Sequence, residues 1–487
     1  MKKELKNIVG KEYVFDDEDT LERYAKDQSF TRRCRPDYVA LPQSVEEVQE
    51  LVKFANKHVI PVIPYSSGLN LRGGTIPDQG GILLNLSRMN KIVEINERNR
   101  WVVVEPGVTY ATLQNELEKH DLRVMTPLGM PPGRSVLSSY IDRDPVLAAT
   151  DFVYGNDLAM DEEIVLPNGN LFRVGLWSGK GAPPGSPYGT AIKMYRFFQG
   201  TQGTFGIFTK QAIKVEAIPK CRKVFFITFD KIEDAARVVR KIQDQELGLE
   251  CFLLNAFNLA CLINEDWQVP ETFPCDPISS SNFEAVKVDL PSWTMIICLM
   301  GLERHPEEKV AYEEEDLREV CEQQNVELQT TVIGLLDLEK LFLKELLRPW
   351  GILKKFCYKG SVHDISFYAS GTKLAEYERT VKELANKHRY PPDAVGAYLL
   401  PVERARTYCC QFDFSCDLSN SKDRGKVEKL WRDASDTLIS MGAFIDQPYG
   451  EWADMVYSRT NTHTTYLRRI KKALDPNNIM NPGKLCF

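Results

Sequence analysis

Pro64-Tyr65-Ser66-Ser67-Gly68-Leu69-Asn70-Leu71-Arg72-Gly73-Gly74 is the stretch on which the reading of the fold turns. Short apolar runs flank it, residues 60–63 before and 82–86 after, so it reads as strand, small-residue loop, strand. Small residues in such a loop expose several backbone N–H groups together, a nest able to hold a pyrophosphate without any positive side chain. Taken alone, the stretch reads as a plain glycine turn between strands. Only the sequence around it raises the anion-binding reading.

Upstream, Ser44-Val45-Glu46-Glu47 is a capping box, and Val45, Val48, Leu51, Val52 and Ala55 mark one apolar helix face. Downstream, a buried-type strand at 102–104 leads through Pro106-Gly107 into a helix over 109–120, and a hairpin turns on Asn168-Gly169. Gly200-Thr201-Gln202-Gly203-Thr204-Phe205-Gly206 then opens into an alternating strand over 207–218. That is not the dinucleotide fingerprint, which needs a helix amino terminus after its glycines. Gly175-Leu176-Trp177-Ser178-Gly179-Lys180 lacks the spacing and the hydroxyl residue of a phosphate loop. Beyond Cys221 the texture changes to strand–helix units: 224–229 with 232–245, 295–300 with 307–324, 362–368 with 374–388, and 408–414 with 426–441. They predict an α+β domain with helices on one face of a mostly antiparallel sheet. The end of the chain reads as a helix from 462, then Leu474-Asp475-Pro476-Asn477-Asn478 and an Asn481-Pro482-Gly483-Lys484 turn.

The 487 residues carry 61 Lys and Arg against 68 Asp and Glu, a net −7, and 43% are hydrophobic. That composition suits a large globular core in two or three domains and excludes a disordered or coiled-coil chain. With no basic cluster, nucleic acid is not an expected partner. No run approaches the roughly 18 apolar residues of a membrane span, and residues 1–31 lack the apolar core of a signal peptide, so the expectation is a cytoplasmic protein. None of the twelve cysteines forms a Cys-x-x-Cys pair, and Cys409, Cys410 and Cys416 fit neither a zinc nor an iron–sulfur spacing. Free thiols in a reducing compartment are expected. The six histidines show no ligand spacing, so no metal is expected.

Four segments together resemble the flavoenzyme superfamily of vanillyl-alcohol oxidase, p-cresol methylhydroxylase and the FAD-linked glycolate and D-lactate dehydrogenases. They are Arg35-Pro36-Asp37-Tyr38-Val39-Ala40-Leu41-Pro42 with the 64–74 loop; Val104-Glu105-Pro106-Gly107-Val108; residues 200–207; and residues 474–484. The resemblance implies an α+β fold: a two-subdomain FAD-binding domain of the p-cresol methylhydroxylase type plus an α+β cap domain with a mostly antiparallel sheet. Its implied boundaries are a lead-in at 1–35, the FAD-binding domain at 36–219, the cap at 220–445 and a returning segment at 446–487. It further implies that Tyr65, Ser66, Ser67, Gly68, Leu69 and Asn70 wrap the FAD pyrophosphate. Gly133, Ser135, Val136 and Ser139 would run along the cofactor, with Gly206 and Ile207 near its adenine side. Ser139 departs from the family's Asn, and residues 133–139 hold less glycine than in relatives.

Other departures narrow the chemistry. Phenol-oxidising relatives place a Tyr where Arg72 stands and a Tyr-Arg pair where Trp452-Ala453 stand. The metal-dependent hydroxy-acid dehydrogenases carry a His where Trp452 stands. The cap histidine that often links FAD covalently is missing from residues 404–412, so non-covalent FAD is expected, with Tyr408 as the one alternative link. In the family's chemistry Arg72 suits a substrate carboxylate held bidentately, or else it neutralises FAD phosphate or forms an ion pair. Glu451 is a candidate base or a structural ion pair; His363 a cap base or a core histidine; Tyr449 and Trp452 pocket walls; Arg459 a pocket or a helix-end residue. The implied activity is FAD-dependent oxidation of an alcohol or hydroxy acid, anionic, by hydride transfer to flavin N5. The alternatives are a 4-alkylphenol or aromatic-alcohol oxidase, and a non-catalytic or electron-transfer subunit with a degenerate flavin site. The expected partners are a small-molecule substrate, an electron-transfer protein and a second copy in a homodimer.

Overall fold

Ile82–Asn85 is buried at every position because it lies inside a four-stranded sheet, between Tyr38–Ala40 and Val62–Tyr65, both parallel to it. The helix Val45–His58 makes the crossover and lays Val48, Leu51, Val52 and Ala55 on the sheet. Ser44 caps it by accepting from the N–H of Glu47, and Val59 ends it in the left-handed conformation. The computed structural model describes residues 1–148, 158–185, 192–332, 335 and 337–487. The stretch read as a polar lead-in also belongs here. Helix Lys2–Val9 buries Leu5 and Val9 in this core, and Val14–Phe15 pairs antiparallel with Tyr38–Ala40 as the edge strand. Elements this short hold too few periodic positions to be read from sequence.

A second, wholly antiparallel sheet follows, in the order Ile92–Asn96, Trp101–Val104, Ile207–Lys214, Ala159–Val165, Leu171–Val174. Its apolar side packs on helices Tyr110–Leu117 and Val136–Asp142. The tail returns to the first sheet: Met480 bridges Val62, and the N–H groups of Val62 and Asn481 donate to Ile479 O and Val62 O. The turn over 481–484 therefore lies beside the strand that feeds the 64–74 loop.

The cap is a six-stranded antiparallel sheet in the order 221–229, 293–301, 250–255, 395–402, 407–416, 361–369. Helices Ile232–Asp244, Pro306–Gln324, Leu374–Lys387 and Ser421–Ser440 share one core with one face. The expectation that helices cover one face is incomplete. Trp293–Gly301 is buried at all nine positions, because the opposite face, with Val224, Phe226, Phe252 and Ile296, is also apolar. It packs on helix Leu338–Glu345 and on Leu147 and Leu128 of the amino-terminal half. Arg123 and Glu250, both buried, pair at 2.6 Å across the same seam.

Candidate active site

The 64–70 loop forms one wall of a cavity with about 770 Å³ of empty space. Leu137, Ser138, Ile141 and Asp142 close it from the helix Val136–Asp142, Gln202, Gly203 and Gly206 from the glycine loop, and Asn481 from the tail. The loop is held by side chains: Ser66 Oγ lies 2.6 Å from Ser138 Oγ, and Ser67 Oγ accepts from the Ser135 N–H at 3.1 Å. The backbone N–H groups of residues 66–70 make none of the described intramolecular hydrogen bonds. A second cavity adjoins the first across Tyr65, Ser66 and Ser67, and Gly133 and Ser135 line it.

This groove fits FAD. Free N–H groups in the loop suit a pyrophosphate. Gln202 Oε1 and Asn481 Oδ1, buried acceptors without a protein partner, suit a ligand that carries N–H and O–H donors. Gly203 stands at φ +73°, and a Cβ there would lie 2.3 Å from Pro64 Cγ, so the two loops close on each other only through glycine.

A further cavity, with about 430 Å³ of empty space, lies between the amino-terminal half and the cap. Phe30, Trp431 and Trp452 give it aromatic walls, and Arg72, His363, Asp364 and Glu451 line it. Arg72 donates from Nη1 to Gln447 Oε1 at 2.6 Å and from Nη2 to Asp364 Oδ2 at 2.5 Å, with its guanidinium 5.8 Å from the Trp452 ring centre. Burial opposes its charge, but Asp364 more than compensates and drives the guanidinium pKa above its ordinary value.

A buried polar chain runs between the cavities. Tyr449 Oη donates to Asp142 Oδ1 at 2.6 Å. Arg134 Nη2 donates to Asp142 Oδ2 at 2.8 Å and to Asp144 Oδ2 at 2.9 Å. Gln447 Nε2 reaches Asp144 Oδ1 at 3.0 Å, and its Oε1 takes the bond from Arg72. Among the described residues, Tyr449 alone lines both the loop cavity and the aromatic one.

The named residues divide accordingly. Tyr65, Ser66, Ser67, Gly68, Leu69, Asn70, Gly206 and Ile207 line the loop cavity, and Gly133 and Ser135 the adjoining one. Val136 and Ser139 line neither. Val136 enters the core below the second sheet, and Ser139 is held in the interior by Asp144 and Tyr110. The helix turns its 137, 138 and 141 side instead, a phase that residue-by-residue matching does not supply. Arg72, Tyr449, Trp452, His363 and Glu451 gather at the aromatic cavity. Both Glu451 oxygens are clasped by Arg432, at 2.5 and 2.6 Å. His363 stacks on Phe30 at 4.2 Å, and burial pushes its pKa down to about 3. Arg459 lies outside, bound to Asp436 and to Met455 O. Tyr408 is also elsewhere: its hydroxyl reaches Ala236 O within the cap core, too deep to meet the cofactor cavity. Sequence reasoning missed Arg134, Asp142, Gln202, Gln447 and Asn481. Arg134, Gln202 and Asn481 stood inside stretches already singled out; Asp142 and Gln447 carried no local signal.

Residues 36–175 match the FAD binding domain model, and residues 218–485 match the model of the FAD linked oxidases' C-terminal domain. The chain is 23% identical to the glycolate oxidase subunit GlcD of Bacillus subtilis, covering 100% of this chain and 96% of that one. It is 21% identical to the D-2-hydroxyglutarate dehydrogenase of Stutzerimonas stutzeri over 99% of this chain and 98% of that one. Its fold superposes on p-cresol methylhydroxylase with substrate bound at a TM-score of 0.84 and 18% identity, covering 100% of this chain and 96% of the other.

Proposed function

The chain belongs to the family of FAD-linked oxidases, and on that premise we propose that it oxidises the CH–OH carbon of a small hydroxy acid or alcohol seated in the aromatic cavity. FAD, when bound, supplies the hydride acceptor. The observation that carries the reading is that Tyr449 lines both cavities. Hydride transfer needs direct approach, so the oxidised carbon belongs beside Tyr449. Trp431, Trp452 and Phe30 put aromatic walls around it.

Arg72 supports an anionic substrate. Its guanidinium has five N–H donors, and Gln447 and Asp364 take two, so the remainder of the fork can address a carboxylate from the cavity side. The aromatic walls favour a second reading, a ring-bearing alcohol without a carboxylate. Non-covalent FAD goes with either, since Tyr408 lies in the cap core. Electrons then pass to an acceptor, and the glycolate-oxidase relative, named as a subunit, supports a partner protein for that step. Twelve free cysteines fit a cytoplasmic setting.

The test compares a hydroxy acid with its uncharged ester as anaerobic reductants of the bound flavin. Losing charge-assisted hydrogen bonds worth roughly 1.5–3 kcal/mol, Arg72→Ala should lose about ten- to a hundredfold in kcat/KM for the acid. The ester should change little, and FAD content should hold. Equal losses for both substrates would assign Arg72 to the pairing with Asp364 and favour the ring-bearing alcohol. No reduction by any alcohol or hydroxy acid would leave the non-catalytic subunit as the surviving reading.

A further inference from the structure

Asp142, the last residue of the helix Val136–Asp142, is absent from every motif in the sequence, yet it lines the loop cavity and holds the hydroxyl of the residue shared by both cavities. The geometry points to Tyr449 and Asp142 as the pair that takes the substrate's hydroxyl proton, Tyr449 receiving it at Oη while its own proton passes to Asp142 Oδ1. This rests on the reading above, in which an alcohol carbon is oxidised beside Tyr449.

Three observations carry it. Tyr449 Oη and Asp142 Oδ1 stand 2.6 Å apart, a short charge-assisted bond along which a proton can move. Arg134 at 2.8 Å and Asn70 at 3.3 Å both hold the other oxygen, Oδ2, which turns Oδ1 toward the phenol. The other candidate acceptors are poorly placed. Glu451 is clasped by Arg432 through both oxygens, and His363 is stacked on Phe30 and too weakly basic.

Burial raises the proton affinity of the Asp142 carboxyl, against the pull of Arg134 and with Asp144 adding to the rise. A base is most effective when its pKa approaches the working pH, and this shift is in that direction. The step balances. The substrate carbon loses a hydrogen with its electron pair to the flavin, the substrate oxygen loses a proton to Tyr449, and a C=O bond forms. Tyr449 ends as it began, a neutral phenol, and Asp142 ends protonated. Because its own proton leaves as the substrate's arrives, Tyr449 never has to become a phenolate, which burial and the neighbouring Asp142 disfavour.

The test uses the FAD-loaded protein and the variants Tyr449→Phe and Asp142→Asn. Tyr449→Phe removes only the hydroxyl and keeps the Asp142–Arg134 pair, so it carries the test even where Asp142→Asn loses FAD. Both variants should be reduced by dithionite as the unaltered protein is, while flavin reduction by substrate slows by about 10²–10⁴-fold. The infrared difference spectrum on anaerobic reduction by substrate should gain a protonated-carboxyl band that Asp142→Asn lacks. Reduction of Tyr449→Phe at the unaltered rate, or no such band, would overturn the relay while leaving the proposed oxidation intact. A flavin that no alcohol or hydroxy acid reduces would overturn both.

Discussion

At Gly68 the backbone stands at φ +69°, and a Cβ would lie 2.1 Å from Tyr65 Oη. Two separate requirements, a left-handed conformation and a close approach, therefore coincide on one residue of the cofactor loop. Gly68→Val should leave the rest of the fold in place, since the loop lies at the surface of a cavity, but should purify nearly colourless. The ratio of flavin to protein absorbance measures it, and a fully yellow variant would make the loop an ordinary turn. In the sequence Gly68 stands out only as one glycine of a small-residue loop. The resemblance set Ser139 along the cofactor, whereas the helix phase sends its side chain inward to Asp144.

At the scale of elements, the joint between tail and cofactor domain is a buried lysine. Lys471 Nζ donates to Thr204 O, Asp475 Oδ2 and Met480 O at 2.7, 2.7 and 2.8 Å, and Asp475 also accepts from the N–H groups of Ile479 and Met480. Glycine loop, terminal helix and tail bridge thus meet at one ammonium. Lys471→Met leaves Asp475 as an uncompensated buried charge, which should cost about 3–5 kcal/mol. The denaturant midpoint should fall accordingly, and FAD content with it, because Met480 bridges the strand leading into the loop. An unchanged midpoint would mean that the tail is not held at this point. The sequence marked the Asp475-Pro476-Asn477-Asn478 turn as a motif, but not its partner: Lys471 looks like any other basic residue near a helix end.

Over the whole molecule, a buried carboxyl tunes stability to pH. Glu162 lies inside the cofactor domain, where burial pushes its pKa from 4.5 up to about 8, against the bonds from Gln199 and Gln211. A carboxyl whose pKa is raised on folding stabilises fully below its unfolded value, and that contribution is lost as pH rises through the folded one. Stability should therefore decline between roughly pH 4.5 and 8 by a few kcal/mol. Glu162→Gln should flatten this slope, gaining midpoint at pH 9 relative to the unaltered chain and little at pH 5. Parallel curves for the two proteins would show that Glu162 does not set the slope.

The sequence by itself determined the small-residue loop between two strands and the strand–helix units of the antiparallel cap, because glycine punctuation and the periods of helix and strand are local properties of the chain; a cofactor role for that loop came only from the resemblance of four segments together. It also placed Arg72, Tyr449, Trp452, His363 and Glu451 among the candidates. Only the tertiary structure decided which neighbours each one meets. Residues 72, 364 and 447 are joined into one chain of hydrogen bonds, and no local pattern links positions so far apart. Arg459, a pocket or helix-end residue from the sequence, and Tyr408, the one alternative flavin link, are turned by packing toward Asp436 and Ala236. The same burial that removes water from these groups sets their charge states, so His363 is kept neutral and Asp142 is made more basic. Desolvation is a property of the packed molecule, not of the residue, and for that reason the site's chemistry could not be read from the order of its amino acids.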